Sequence, residues 1–145
     1  MKVLLLLAGF IFAPLLAAET LHEVKMLNTN ATGPMPFEPD YLAINPGDSI
    51  RFIPVHRGHN VATIRGFMPE GADSFISKID EDFTIRLTVE GWYGLRCLPH
   101  YTMGMVMLVK VGNPPEDQLL LPEGIPAQAL DRFNQIIKRN VYNTK

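Results

Sequence analysis

Cys97-Leu98-Pro99-His100-Tyr101-Thr102-Met103-Gly104-Met105 holds the only cysteine of the chain, one of its four histidines and two of its seven methionines. A thiol, an imidazole and two thioethers within nine residues are donor groups for a soft or borderline metal ion. Cys-x2-His alone is a common coincidence, but Cys-x2-His-x4-Met demands more of chance. The stretch reads as a loop between two strands, which can aim three side chains at one point. A second imidazole is offered by Gly58-His59-Asn60, 38 positions before the cysteine. Two imidazoles, a thiolate and one thioether, from Met103 or Met105, form a trigonal His2Cys set with a weak axial sulfur, the arrangement of blue copper. Imidazole suits Cu(II) and sulfur suits Cu(I), so a compromise held by the protein lowers the rearrangement cost of moving one electron.

Two other chemistries use related donors. A zinc enzyme can be built on two His, one Cys and a water, but methionine is a poor zinc ligand. The nearest acid, Glu90, stands seven residues before Cys97 behind Gly91 and is no obvious general base. A copper-binding carrier or storage protein is the alternative function. Such proteins favour exposed sulfur and imidazole sites that release Cu(I), whereas this donor set has the composition of a closed site.

The compartment bears on the lone thiol. Residues 1–18, MKVLLLLAGFIFAPLLAA, place one lysine before an apolar run and small residues at Ala17 and Ala18, the layout of a secretory signal peptide. The run is too short for a spanning helix and Pro14 interrupts it, so no membrane attachment is expected after cleavage. The remaining residues 19–145 make one domain. Losing Lys2 leaves 12 basic against 15 acidic side chains, a formal charge of −3 in place of −2, which excludes a nucleic-acid binder by charge. Exported chains use cysteines in pairs; Cys97 has no intramolecular partner, so a metal or an intermolecular bond must occupy it.

Short β-rich segments separated by Pro and Gly predict a sandwich or barrel of seven or eight strands. LHEVKML (21–27) opens it, and Asn45-Pro46-Gly47-Asp48 is a turn inside YLAINPGDSIRFIPV. Pro54 places IRFIPV (50–55) near a sheet end or edge. HNVAT (59–63) reads as a brief strand, and FTIRLTV (83–89) alternates, with Phe83, Ile85, Leu87 and Val89 on one face. WYGLRC and MVMLVKV complete the sheets. Two helices are expected within 115–140: a short one at PEDQLLL, and Ala127–Asn140 with Ala129, Leu130, Phe133, Ile136 and Ile137 at helical spacing after Pro126.

The motifs VKMLN, PMPFEPDYLAINPGDSIRFIPV, GHNV, PEGADSF, SKI and GWYGLRCLPHYTMGM resemble, in this order, those of the cupredoxins, the type 1 blue-copper family. The similarity covers essentially all of residues 21–140. It implies an all-β Greek-key sandwich of about eight strands with two C-terminal α-helices, and one copper per chain held by His59, Cys97, His100 and Met105. It also implies an electron-transfer protein of the bacterial periplasm, not an enzyme, and a monomer. Around the ligands, the resemblance assigns Asn60 to tie the two copper-bearing loops and to donate its N–H to the thiolate, and Met35 to pack on His100. Pro99, with no N–H of its own, would keep the reduction potential low and shield the copper edge from water.

Pro34, Met35, Pro36, Pro99 and Met103 would form an apolar rim around His100, and Arg57, Arg65, Lys78 and Arg96 a basic docking surface. The partner implied is a copper nitrite reductase, with a cytochrome c peroxidase or a nitrous oxide reductase as alternatives. Thr29 and Ile76 stand where the family pattern has basic residues, so the basic ring is thinner here.

Overall fold

The computed structural model describes residues 18–142; the signal-peptide expectation for residues 1–18 lies, apart from Ala18, outside the described residues. Two four-stranded sheets face each other. The first has the order β4 (Phe37–Glu38), β1 (Leu21–Met26), β6 (Ser49–Pro54), β8 (Phe83–Arg86). The second has the order β5 (Tyr41–Ile44), β10 (Val106–Val111), β9 (Gly91–Arg96), β7 (Ala62–Thr63). A small hairpin, β2 (Thr29–Asn30) and β3 (Gly33–Pro34), stands apart from both. β1 runs parallel to β6 and β5 parallel to β10, so the chain crosses between sheets as a Greek-key sandwich does.

Alternation along the strands divides the interior into two cores. Val24, Met26, Ile50 and Phe52 of the first sheet meet Tyr93, Leu95, Met107 and Val109 of the second, and Cys97 and Met105 belong to this layer. The even-numbered Trp92, Val106 and Leu108 face the other way, onto the helix α1 (Ala127–Ile137) through Ala129, Phe133, Ile136 and Ile137. The second sheet is therefore covered on both faces, which is why MVMLVKV is a continuous apolar run. Gly94 permits one close approach in this layer: a Cβ there would run into the ring of Phe67.

Three expectations change in detail. IRFIPV is not an edge strand: β6 pairs with β1 on one side and β8 on the other, and Pro54 is tolerated because it is the last residue of the strand. The first of the two C-terminal helices is only a 3-10 turn, Glu116–Gln118. Pro115 and Pro122 leave six residues between them, too few to offset helix nucleation. The second helix forms as α1 and continues in wider, π-type winding through Lys138–Tyr142. Within it, Leu130 is 37% exposed, whereas Arg132 is buried at 9%.

Candidate metal centre

β9 delivers Cys97 to one end of the sandwich, and β10 begins just after Met105. The intervening loop closes on itself: Cys97 N–H donates to Met105 O at 3.0 Å, and Met105 N–H to His100 O at 3.1 Å. Between them Tyr101–Met103 form a 3-10 turn, ended by Gly104 in the left-handed region with φ +86°. A Cβ at Gly104 would come within 3.0 Å of Gln128 O, so the loop packs directly on the start of α1. This closure turns Cys97 and Met105 fully inward (0% exposed) and leaves Met103 41% exposed, so of the two thioethers only that of Met105 faces the core.

His59 arrives from the other loop, fully buried, while His100 is half-buried. The three donor atoms of His59, Cys97 and His100 lie within 4.8 Å of one another. Cys97 Sγ is 3.6 Å from His100 Nδ1 and 3.9 Å from His59 Nδ1, and the two Nδ1 atoms are 3.2 Å apart. His59 Nε2 sits 2.8 Å from Asn28 Oδ1. That oxygen can only accept, so Nε2 carries the proton and the Nδ1 lone pair is directed into the site.

Burial pushes the Cys97 thiol up, opposed by the backbone N–H groups of Asn60 and His100. Burial, reinforced by the nearby His100 and His56, holds the His59 imidazole below its ordinary value, with Asp80 opposing. Left to themselves these groups favour a neutral pocket in which lone pairs converge without a positive charge. A cation reverses that balance, because it removes the penalty on a buried thiolate and uses the imidazole lone pairs. Two imidazoles, a thiol and a buried thioether fit copper and do not fit magnesium or calcium, which take oxygen ligands.

Asn60 bridges the loops. Its backbone N–H points at Cys97 Sγ (3.5 Å), its Oδ1 accepts the Leu98 N–H (2.8 Å), and its Nδ2 donates to Ser77 O (3.2 Å). Pro99 is exposed between Leu98 and His100. Met35 is partly buried against the first core in a left-handed backbone conformation, φ +48°. Of the apolar rim, Pro34, Pro99 and Met103 are exposed; Pro36 is buried, and Leu98 supplies exposed surface that the sequence reading did not assign to the rim.

Of the basic residues, Arg65 and Lys78 are exposed. Arg57 is almost fully exposed but lies 3.5 Å from the Asp80 carboxylate. Arg96 is partly buried, with its guanidinium 5.0 Å over the Tyr101 ring. Sequence reasoning missed two supporting residues, Asn28 and Asp80. Asp80 accepts the Gly58 N–H at 2.6 Å and donates its own N–H to His59 O at 2.8 Å. Asn28 falls in the turn-rich NTNATGPMP, where an asparagine is ordinary, and Asp80 lies far from any donor in sequence.

Residues 24–112 match the family described as copper binding proteins of the plastocyanin/azurin family. A pseudoazurin of Paracoccus pantotrophus is 50% identical over 96 residues, an alignment covering 66% of this chain and 66% of that relative, just under two thirds of its length. The crystal structure of pseudoazurin from Methylobacterium extorquens AM1 is 40% identical and superposes with a TM-score of 0.70, over 80% of this chain and 98% of that one. Pseudoazurin from Hyphomicrobium denitrificans, 32% identical, superposes with a TM-score of 0.77, over 84% and 99%.

Proposed function

This chain belongs to the plastocyanin/azurin family of copper-binding proteins, and on that footing we propose that it is a periplasmic carrier of single electrons, with one type 1 copper ion held by His59, Cys97, His100 and Met105. When bound, copper supplies a one-electron couple between Cu(II) and Cu(I); the chain's own residues hold the donors in place and exclude water. Asn28 fixes the His59 ring, Asn60 and His100 direct N–H groups at the sulfur, and the strand ends keep Cys97 and Met105 in the core. Such preorganisation keeps rearrangement small when the charge of the site changes.

One observation carries the reading: the paired imidazoles, 3.2 Å apart, differ in exposure, with His59 buried and His100 half-buried. Among the described residues the His59 side of the site is closed and the His100 side opens towards solvent, with Leu98, Pro99 and Met103 exposed in the same loop. An electron carrier needs such an open side and a surface for brief docking, and no substrate cavity. The leader expected at residues 1–18 sends the chain to the periplasm, where it acts as a monomer. Its partner is an acidic redox protein: a copper nitrite reductase in denitrification, with a cytochrome c peroxidase or a nitrous oxide reductase as the alternatives.

Loading with one equivalent of Cu(II) should give an intense blue colour that a reductant bleaches. A colourless copper complex would point instead to a carrier or storage protein. Rapid mixing of the reduced protein with each candidate reductase, at varied ionic strength, identifies the partner by its association rate.

A further inference from the structure

We propose that Arg132, on the C-terminal helix, is a positioning residue for the metal centre: through the β2–β3 hairpin it holds Asn28 against His59. This inference rests on the copper reading above.

Helix docking does not require a charged residue at position 132. α1 already covers the second sheet with Ala129, Phe133, Ile136 and Ile137. Arg132 is buried beside them, and among the described residues no carboxylate forms an ion pair with it. An apolar side chain of similar size would serve that packing as well, so what distinguishes arginine at this position is the partner its guanidinium finds. What Arg132 does contact is the hairpin. Its Nη2 donates to Pro34 O at 3.1 Å, a bond between residues 98 positions apart. The same nitrogen lies 3.5 Å from where a Cβ on Gly33 would stand, so the guanidinium rests on the hairpin strand itself.

The hairpin ends on the site. Immediately after Pro34, Met35 N–H donates to Asn28 O at 2.8 Å and closes the hairpin base. Met35 does so at φ +48°, a conformation that a residue with a side chain adopts only when its surroundings impose it. Asn28 then presents Oδ1 to His59 Nε2 at 2.8 Å. Asn28 is itself exposed, so burial alone does not hold its side chain in that place. Its backbone is fixed by the Met35 bond and by its own N–H, which donates to His56 Nδ1 at 3.0 Å. Three hydrogen bonds thus lead from the helix to the buried imidazole: Arg132 to Pro34, Met35 to Asn28, and His59 to Asn28. Hydrogen-bond partners of this kind set ring orientation in metal sites.

The test uses Arg132→Met, Arg132→Lys and, as a control that loosens α1 without touching the hairpin, Ile136→Val. In the metal-free protein, hydrogen exchange at the Met35 amide and at the His59 ring N–H should rise about tenfold in Arg132→Met beyond the change in the control. In the copper-loaded protein, the ratio of the visible bands should shift in the same direction as in Asn28→Ala. The double variant Arg132→Met/Asn28→Ala should then shift no further than Asn28→Ala alone. Arg132→Lys, which keeps a donor but not the planar guanidinium, should recover at least half, but not all, of both effects. If Arg132→Met does not fold, the lysine variant should show a smaller shift of the same sign, and its absence overturns the proposal. Exchange and band ratio that track the Ile136→Val control would reduce Arg132 to a helix anchor. Failure of the unsubstituted protein to turn blue with copper would sink the copper reading instead; the exchange measurement, made without metal, separates the two.

Discussion

Asn60 ties the two loops that carry the metal donors: its Oδ1 accepts the Leu98 N–H at 2.8 Å while its backbone N–H points at Cys97 Sγ from 3.5 Å. Replacing it with alanine keeps the backbone donor but leaves Leu98 N–H and Ser77 O without their partner. Unsatisfied groups of this kind cost about 1–3 kcal/mol each. Asn60→Ala should therefore lower the stability of the metal-free protein by about 1–3 kcal/mol, the Leu98 loop being only partly buried. Urea denaturation measures this, and an unchanged midpoint would mean that the loops are held by other contacts.

Cys97 packs in the first core and is fully buried. Cys97→Ala removes one heavy atom, comparable to the smallest core truncations, which cost about 0.5–1.5 kcal/mol. The folded protein should survive, by circular dichroism, and the copper-dependent blue colour should vanish. A variant that stayed blue would remove Cys97 from the site.

The grouping of His59, Cys97 and His100 was legible in the sequence, because Cys97 and His100 stand three residues apart and His59 in a short GHN stretch, whereas spacing left Met103 and Met105 open and only the family resemblance chose between them. The strands were legible wherever one face is wet, as in FTIRLTV, whose odd positions are less exposed than the even ones. Positions 105–111 carried no period because Met107 and Val109 enter one core while Val106 and Leu108 enter the other. PEDQLLL looked helical by composition, but propensity does not register that flanking prolines leave too short a segment to nucleate. Arg132 could not be read at all. An arginine on an amphipathic helix normally faces water, and here a hairpin almost a hundred residues away gives it a carbonyl to bond.

Gly94 tests the packing between sheet and helix. Phe67 lies over it and packs in turn at a tilt of 58° on Phe133 of α1, with ring centroids 5.2 Å apart. A methyl group at position 94 must displace the Phe67 ring, and overpacking of this kind costs about 1–3 kcal/mol. Gly94→Ala should destabilise by that amount in urea while the visible spectrum of the copper form stays near that of the unsubstituted protein. A neutral substitution would show that the Phe67 ring moves freely.

Docking should depend unequally on the four basic residues. Arg57 is already compensated by Asp80, and Arg96 is partly buried over Tyr101, which leaves Arg65 and Lys78 as the uncompensated exposed charges. Neutralising these two should slow association with an acidic partner by up to about tenfold at low salt. Arg57→Gln alone should have a smaller effect. The differences should shrink near 0.1 M salt, where charges are screened over about 10 Å. Rates independent of salt, or a dominant effect of Arg57, would move the docking surface elsewhere.

Asp48 sets the response to acid at the far end of the sheet. It is 3% exposed, and its carboxylate accepts the N–H groups of Thr20 and Asn45, each within 3.0 Å, and contacts His22 Nε2 at 3.1 Å. These bonds, the Thr20 N–H first, hold its pKa below the ordinary carboxyl value although burial works against them. A carboxyl depressed in the folded state binds its proton less readily there than in the unfolded chain. It therefore contributes stability above the unfolded pKa of about 3.9, and that contribution is lost as pH falls through the lower folded value. Asp48→Asn removes the charge and turns an NH2 group towards one of the donors. It should destabilise the metal-free protein by about 1–3 kcal/mol at pH 7. Asp80 and Asp82 are also depressed, by the Gly58 N–H and by Arg51 respectively, so both proteins should lose stability in acid. Because only the native chain loses the Asp48 contribution, the gap between the two should narrow steadily below about pH 4. Urea midpoints measured from pH 7 to pH 3 give the comparison, and two parallel curves would show that Asp48 bonds equally well with or without its proton.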